Sequence, residues 1–161
     1  MKTLYIIRHA KSSWEFDIED HKRPLNQRGL KDANIVGKAL VGLVKSVDKI
    51  LSSDAERAKT TARIILDHLN FSEDIFSLES KLYDFSGHKV IEVIKSCHDD
   101  VNSLMIFGHN HAFTSIANLY GNKVIDNLPT AGVIGIEFDV TRWKDIEVGK
   151  NVLTLFPKEL R

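Results

Sequence analysis

The chain has 161 residues, 43% hydrophobic and 27% charged, a globular balance at a length that suits one domain over residues 1–161. Lysine plus arginine and aspartate plus glutamate each number 22, so the formal net charge is zero; no overall field draws nucleic acid or an anionic membrane, and any anion site must be local. The longest apolar runs, such as Leu4–Ile7 and Leu104–Phe107, fall far short of the ~20 residues of a membrane helix.

Met1-Lys2-Thr3 leads straight into a strand-like segment without an apolar signal region, which sets a cytoplasmic expectation. Thr3–Arg8 is a nearly continuous apolar run, the pattern of a strand covered on both faces. Leu30, Ala33, Val36, Ala39, Leu40, Leu43 and Val44 recur at three-to-four spacing and predict an amphipathic helix over 28–44. Lys49–Ser52 reads as a second strand, and Ser53-Asp54-Ala55-Glu56 has the form of a capping box that opens a helix with the stripe Ala58, Ala62, Ile65, Leu66 and Leu69. Ile75–Leu78 is a third strand, and Ser86 is placed to cap a helix carrying Val90, Val93, Ile94 and Cys97.

Cys97 is the sole cysteine, which excludes an intrachain disulfide and a multi-thiolate zinc site and leaves a small core residue as its expected role. Ser103–Phe107 is a fourth strand, Ala112–Tyr120 a helix stopped by Gly121, and Val133–Phe138 with Asn151–Phe156 an antiparallel edge pair. Strands alternating with helices predict a three-layer α/β sandwich: a mainly parallel sheet with helices on both faces.

Ligands of open α/β sheets bind beyond the carboxyl ends of the strands. Arg8-His9 follows the first strand, Arg57 falls in the first turn of the helix after the second, Asp84 follows the third, and Gly108-His109 follows the fourth. An arginine fork matches phosphate oxygens, and a neutral imidazole can attack phosphorus and form a covalent intermediate. Positioning and charge stabilisation are most of what phosphoryl transfer needs, so this set calls for no metal and no cofactor. Cationic neighbours disfavour the imidazolium form of His9 and keep its attacking nitrogen free near neutral pH.

Arg8-His9-Ala10-Lys11-Ser12-Ser13-Trp14 resembles the signature of the histidine phosphatase (phosphoglycerate-mutase-like) superfamily, with alanine at position 10 where glycine is usual. The resemblance continues through Arg23-Pro24-Leu25 and Gly29, through Ser52 to Ala62, and through Gly108-His109-Asn110; the short length and this signature variant resemble the SixA branch of phosphohistidine phosphatases. It implies a phosphoglycerate-mutase-like fold, His9 as the phosphorylated nucleophile, and Arg8, Arg57 and His109 as the phosphate pocket. Lys11, Ser12 and Arg23 line its entrance in this reading, and Asp84, in the Leu82-x-Asp84 spacing, is the candidate general acid. The implied substrate is phosphohistidine on a signalling protein, with a small phosphorylated metabolite as the alternative.

Other readings compete. His109 and His111 form a His-x-His pair that, with His88, Asp84 or His9, would suit a divalent metal, but two arginines beside a cation have no purpose there. A mutase would need longer insertions to cover its substrate. A phospho-ligand binding module without turnover would share the fold. His21, His68 and His98 are expected to be structural, and Trp14 and Trp143 packing anchors.

Overall fold

The computed structural model describes residues 1–161. A six-stranded sheet runs in the order β3-β2-β4-β1-β5-β6. Its strands are β1 (Lys2–Arg8), β2 (Lys49–Ser52), β3 (Phe76–Leu78), β4 (Ser103–Gly108), β5 (Val133–Phe138) and β6 (Lys150–Leu155). The first four are mutually parallel, while β5 pairs antiparallel with β1 and β6 antiparallel with β5, as an α/β sandwich with an antiparallel edge requires. The helices are α1 (Gln27–Leu40), α2 (Glu56–Leu69), α3 (His88–Lys95) and α4 (Ala112–Tyr120). None is long and apolar enough to cross a membrane.

Period-two alternation along β4 divides the core. Leu104 and Ile106 join the apolar cluster that includes Val90, Val93, Ile94, Phe113 and Ile116 of α3 and α4. Met105 and Phe107 join the cluster that includes Ala33, Val36, Ala62 and Ile65 of α1 and α2. Two helices therefore cover each face, and the near-continuous apolar strands are the consequence. Trp143 is fully buried in the first cluster, with its ring N–H donating to the Val101 carbonyl at 2.7 Å.

Four local expectations need correction. The apolar spacing suggested a helix to Val44, yet α1 ends at Leu40, because the chain turns at Gly42, whose φ of 89° lies in the left-handed region. Leu43 is exposed as a result, whereas Val44 still reaches the core. Ser53 forms no capping box: the N-cap of α2 is Ala55, and the Ser53 hydroxyl accepts from the Ala55 N–H and pairs with His109. Ser86 does not cap α3, a role taken by the Asp84 carboxylate, and Cys97 lies past the end of α3, only half-buried.

The register of the parallel strands positions the site. Arg8 pairs with Gly108 and Ser52 with Phe107, so the chain leaves β1, β2 and β4 at one level of one edge. The segment after β1 is then tied to the start of α1. Ser13 N–H donates to Pro24 O (2.8 Å), Asn26 N–H donates to Lys11 O (3.0 Å), and the Asn26 side chain caps the Gly29 N–H at 2.8 Å.

Gly29 presses directly on this segment: a Cβ there would sit 2.0 Å from the Lys11 carbonyl oxygen. Backbone against backbone cannot yield cheaply. Gly29→Ala is therefore expected to destabilise the protein by about 1–3 kcal/mol, read as a lower urea midpoint; an unchanged midpoint would show that this loop moves freely.

Candidate active site

His9 follows β1 and is 7% exposed. Its Nδ1 lies 2.7 Å from the Ala10 carbonyl, which can only accept, and its Nε2 lies 3.3 Å from Arg57 Nε, which can only donate. The proton therefore sits on Nδ1, and the lone pair of Nε2 faces the pocket arginine. The Ala10 N–H donates to Thr61 Oγ1 (2.9 Å) on α2, holding the backbone beneath His9. Burial, above all, lowers the His9 pKa to about 3; the Ala10 carbonyl opposes this, and Arg57, Arg8 and Arg23 reinforce it.

His109 follows β4 with its ring centre 5.2 Å from that of His9. Its Nε2 pairs with Ser53 Oγ at 2.9 Å. Burial, then the neighbouring His9 and the arginines, lower its pKa to about 2. Arg8, at the end of β1, donates through Nη1 to the Leu128 carbonyl at 2.9 Å. Two buried nitrogens, Arg8 Nε and His109 Nδ1, have no hydrogen-bond partner in the protein.

Arg8, His9, Lys11, Ser12, Arg23, Arg57 and His109 all line one cavity of about 320 Å³. The structure thus gathers seven of the eight site residues read from the sequence. Arg23 is 6% exposed; its Nη1 donates to Ser12 Oγ (2.6 Å) and Ser13 O (3.1 Å). Trp14 corrects another expectation. It is 78% exposed rather than a packing anchor, and it stacks on Arg23 with the guanidinium carbon 3.5 Å from the ring centre.

Asp84 is the eighth residue, and the structure does not bring it together with the other seven. It does not line the cavity. Its carboxylate accepts from the backbone N–H groups of Ser86, Gly87, Lys89 and Val90 and from the Ser86 hydroxyl, capping α3. Burial alone would raise its pKa, but these donors prevail and lower it, as expected of a carboxylate that caps a helix.

Asp20, Tyr83 and Ser53 belong to the site region and were missed in the sequence. Asp20 lines the cavity, and its carboxylate accepts from Arg57 Nη2 (2.9 Å), Arg23 Nε (3.1 Å) and the Tyr83 hydroxyl (2.6 Å). Burial would raise its pKa, but those three donors outweigh it and hold the carboxyl well below the usual range. It lies in an unpatterned polar stretch, and its spacing three residues before Arg23 was the only available signal. His21 pairs with Asp54 (2.9 Å) and His68 with Asn34 (2.8 Å), while His98 is exposed. His88 and His111 are exposed as well, and no three potential metal ligands cluster anywhere in the chain.

A second, basic cleft between Arg28, Lys158 and Arg161 meets the first only at Thr130. It contains no histidine or cysteine.

Two histidines held neutral in the folded state bind protons once unfolded, because their pKa values there return towards 6.5. Stability is full above that value and is lost as the pH falls through it towards about 3. Urea denaturation should show a fall of about 4 kcal/mol from pH 7 to pH 5; a flat profile over that range would contradict the buried, neutral state.

The sequence model of the histidine phosphatase superfamily (branch 1) matches residues 4–105. An uncharacterized protein of Mycobacterium tuberculosis is 30% identical over 160 residues, covering 93% of this chain and 98% of its own. Among solved structures, the protein histidine phosphatase SixA complexed with tungstate superposes with a TM-score of 0.83 at 17% identity, covering 99% of both chains. SixA from Agrobacterium tumefaciens gives 0.82 at 22% identity, covering 97% of this chain and 98% of its own. The phosphoglycerate-mutase-like fold read from the sequence is thus the observed one, and the chain belongs to the histidine phosphatase superfamily, branch 1.

Proposed function

We propose that the protein is a phosphatase that works through a phosphohistidine intermediate on His9. The observation that carries this reading is the His9 ring itself: Nδ1–H is committed to the Ala10 carbonyl, leaving the Nε2 lone pair facing Arg57. Nε2 forms a bond to phosphorus as the bond to the leaving group breaks, and the leaving group departs with that electron pair. The ring becomes a cation, stabilised by the Ala10 carbonyl on Nδ1. Water then attacks phosphorus, the N–P bond breaks, and neutral His9 and inorganic phosphate are regenerated.

Arg8, Arg57 and His109, with Lys11, Ser12 and Arg23 at the entrance, hold the phosphoryl oxygens in this reading. The unpartnered Arg8 Nε supports it, since a buried N–H donor calls for an acceptor and an oxyanion supplies one; His109 Nδ1 is a second such donor when the Ser53 hydroxyl donates to its Nε2. The tetrahedral tungstate bound by the SixA neighbour is consistent with such a site. Guanidinium groups provide the charge stabilisation that phosphoryl transfer requires without a metal.

We infer the substrate class from proton supply. With Asp84 engaged as a helix cap and Asp20 held ionised, no cavity-lining carboxyl is placed to protonate a leaving group. An alkoxide leaving group needs that proton, whereas a phosphoramidate such as phosphohistidine, or an acyl phosphate, needs it far less. A protein-borne phosphohistidine, as on a signalling protein, also suits the mouth of the cavity. Exposed Trp14 and Phe85 line it, and Phe16 and Ile18 stand exposed between Trp14 and Asp20.

Phosphoramidate and a phosphohistidine-carrying protein should be hydrolysed with kcat/KM well above that of an alkyl phosphate, and excess chelator should leave the rates unchanged. His9→Ala should abolish turnover with the fold intact, and the wild-type intermediate should be trapped as an acid-labile, base-stable phosphoenzyme. Retained turnover in His9→Ala would end the nucleophile assignment. Preference for alkyl phosphates would redirect the substrate to a small metabolite.

A further inference from the structure

Every nitrogen of the Arg57 guanidinium is engaged. Nε donates to His9 Nε2 (3.3 Å), Nη1 to the backbone carbonyl of Asp20 (2.6 Å) and Nη2 to the Asp20 carboxylate (2.9 Å). One residue thus grips both outer nitrogens, and the grip decides which edge of the guanidinium faces the histidine. An arginine side chain has four rotatable bonds to lose, and a two-point hold at the far end removes most of that freedom.

Asp20 is itself held from two further directions. Tyr83 donates its hydroxyl to Oδ2 (2.6 Å), and Arg23 donates Nε to Oδ1 (3.1 Å). Arg23 in turn reaches Ser12 and the Ser13 carbonyl in the segment that follows His9. Yet the turn carrying Asp20, residues Asp20–Lys22, has no buried residue. Packing does not explain why a carboxylate joins Arg8, Lys11, Arg23 and Arg57 in lining this cavity, at a direct cost to its attraction for an oxyanion. Aiming Arg57 does explain it.

We propose that Asp20 is a positioning residue: through its carboxylate and its carbonyl it fixes Arg57 so that Nε stands beside His9 Nε2, where the phosphoryl group is transferred. The proposal rests on the reading of His9 as nucleophile. Loss of the grip leaves the cationic pocket in place but frees Arg57 to turn, and small displacements of a group that stabilises transferring charge can cost about 100-fold in rate.

Asp20→Asn preserves shape and removes the charge, and because its turn is exposed, the urea midpoint should stay close to that of the wild type. With an aryl phosphate, kcat is expected to fall about 10- to 100-fold. The inhibition constant of inorganic phosphate, a ground-state oxyanion, should stay unchanged or tighten, because a negative charge has left the pocket. Asp20→Glu, with the charge restored on a longer arm, should not recover kcat. The ¹⁵N resonance of the Arg57 side-chain N–H should be sharp and protected from exchange in the wild type and broadened in Asp20→Asn.

A kcat within twofold of wild type would overturn the proposal. So would a rise in kcat, which would make Asp20 an obstruction, or a parallel loss of kcat and affinity for inorganic phosphate, which would make it part of the binding surface. The Arg57 resonance separates the two readings: if the wild type hydrolyses no phosphorylated compound, the nucleophile assignment fails, while the spectrum still tests the hold on Arg57.

Discussion

The parallel pairing of β1 with β4 is the constraint on which the site depends. Six successive residue pairs fix the register from Thr3 opposite Ser103 to Arg8 opposite Gly108. A shift of one residue would send alternate side chains to the opposite face and exchange the two apolar clusters. Because each cluster is built on its own pair of helices, that error is heavily penalised. The consequence at the strand ends is that His9 and His109, a hundred residues apart in sequence, emerge as neighbours with ring centres 5.2 Å apart.

Placing two neutral imidazoles among arginines is unfavourable in itself. Burial strips both rings of water, and the guanidinium groups oppose protonation, so both remain uncharged far below the ordinary histidine range. The arginines are tied down in turn: Arg8 by the Leu128 carbonyl, Arg23 by the segment it stacks against, and Arg57 by Asp20. The geometry is thus preorganised before any ligand arrives, the condition under which fixed charges act on a reacting group without reorganisation.

The strands and helices were legible because both signals were strong. Lys49–Ser52, Ala112–Tyr120 and Val133–Phe138 were read to the residue, since apolar runs and three-to-four spacing set them directly. The strand-end rule then pointed to Arg8, His9, Arg57 and His109, and the family resemblance added Lys11, Ser12 and Arg23; all seven line one cavity. The failures were local and polar. Ser53, Ser86 and Asp84 all have cap-forming side chains, and which of them serves a helix depends on what else lies within reach; Ser53 faces a histidine supplied by another strand, and the Asp84 carboxylate commands four backbone donors. Asp20 could not be found from periodicity at all, because its partners Arg57 and Tyr83 are distant in sequence.

The two tryptophans occupy opposite extremes, and this has an optical consequence. Trp143 is wholly enclosed, with its ring N–H on a carbonyl, whereas Trp14 stands in solvent with its face against the Arg23 guanidinium. Emission should therefore separate into a blue, quencher-resistant component from the interior and a red, quencher-accessible component from the cavity mouth. The molecule carries its own fluorescent reporter beside the cationic pocket, together with an internal reference that occupancy of the pocket leaves undisturbed.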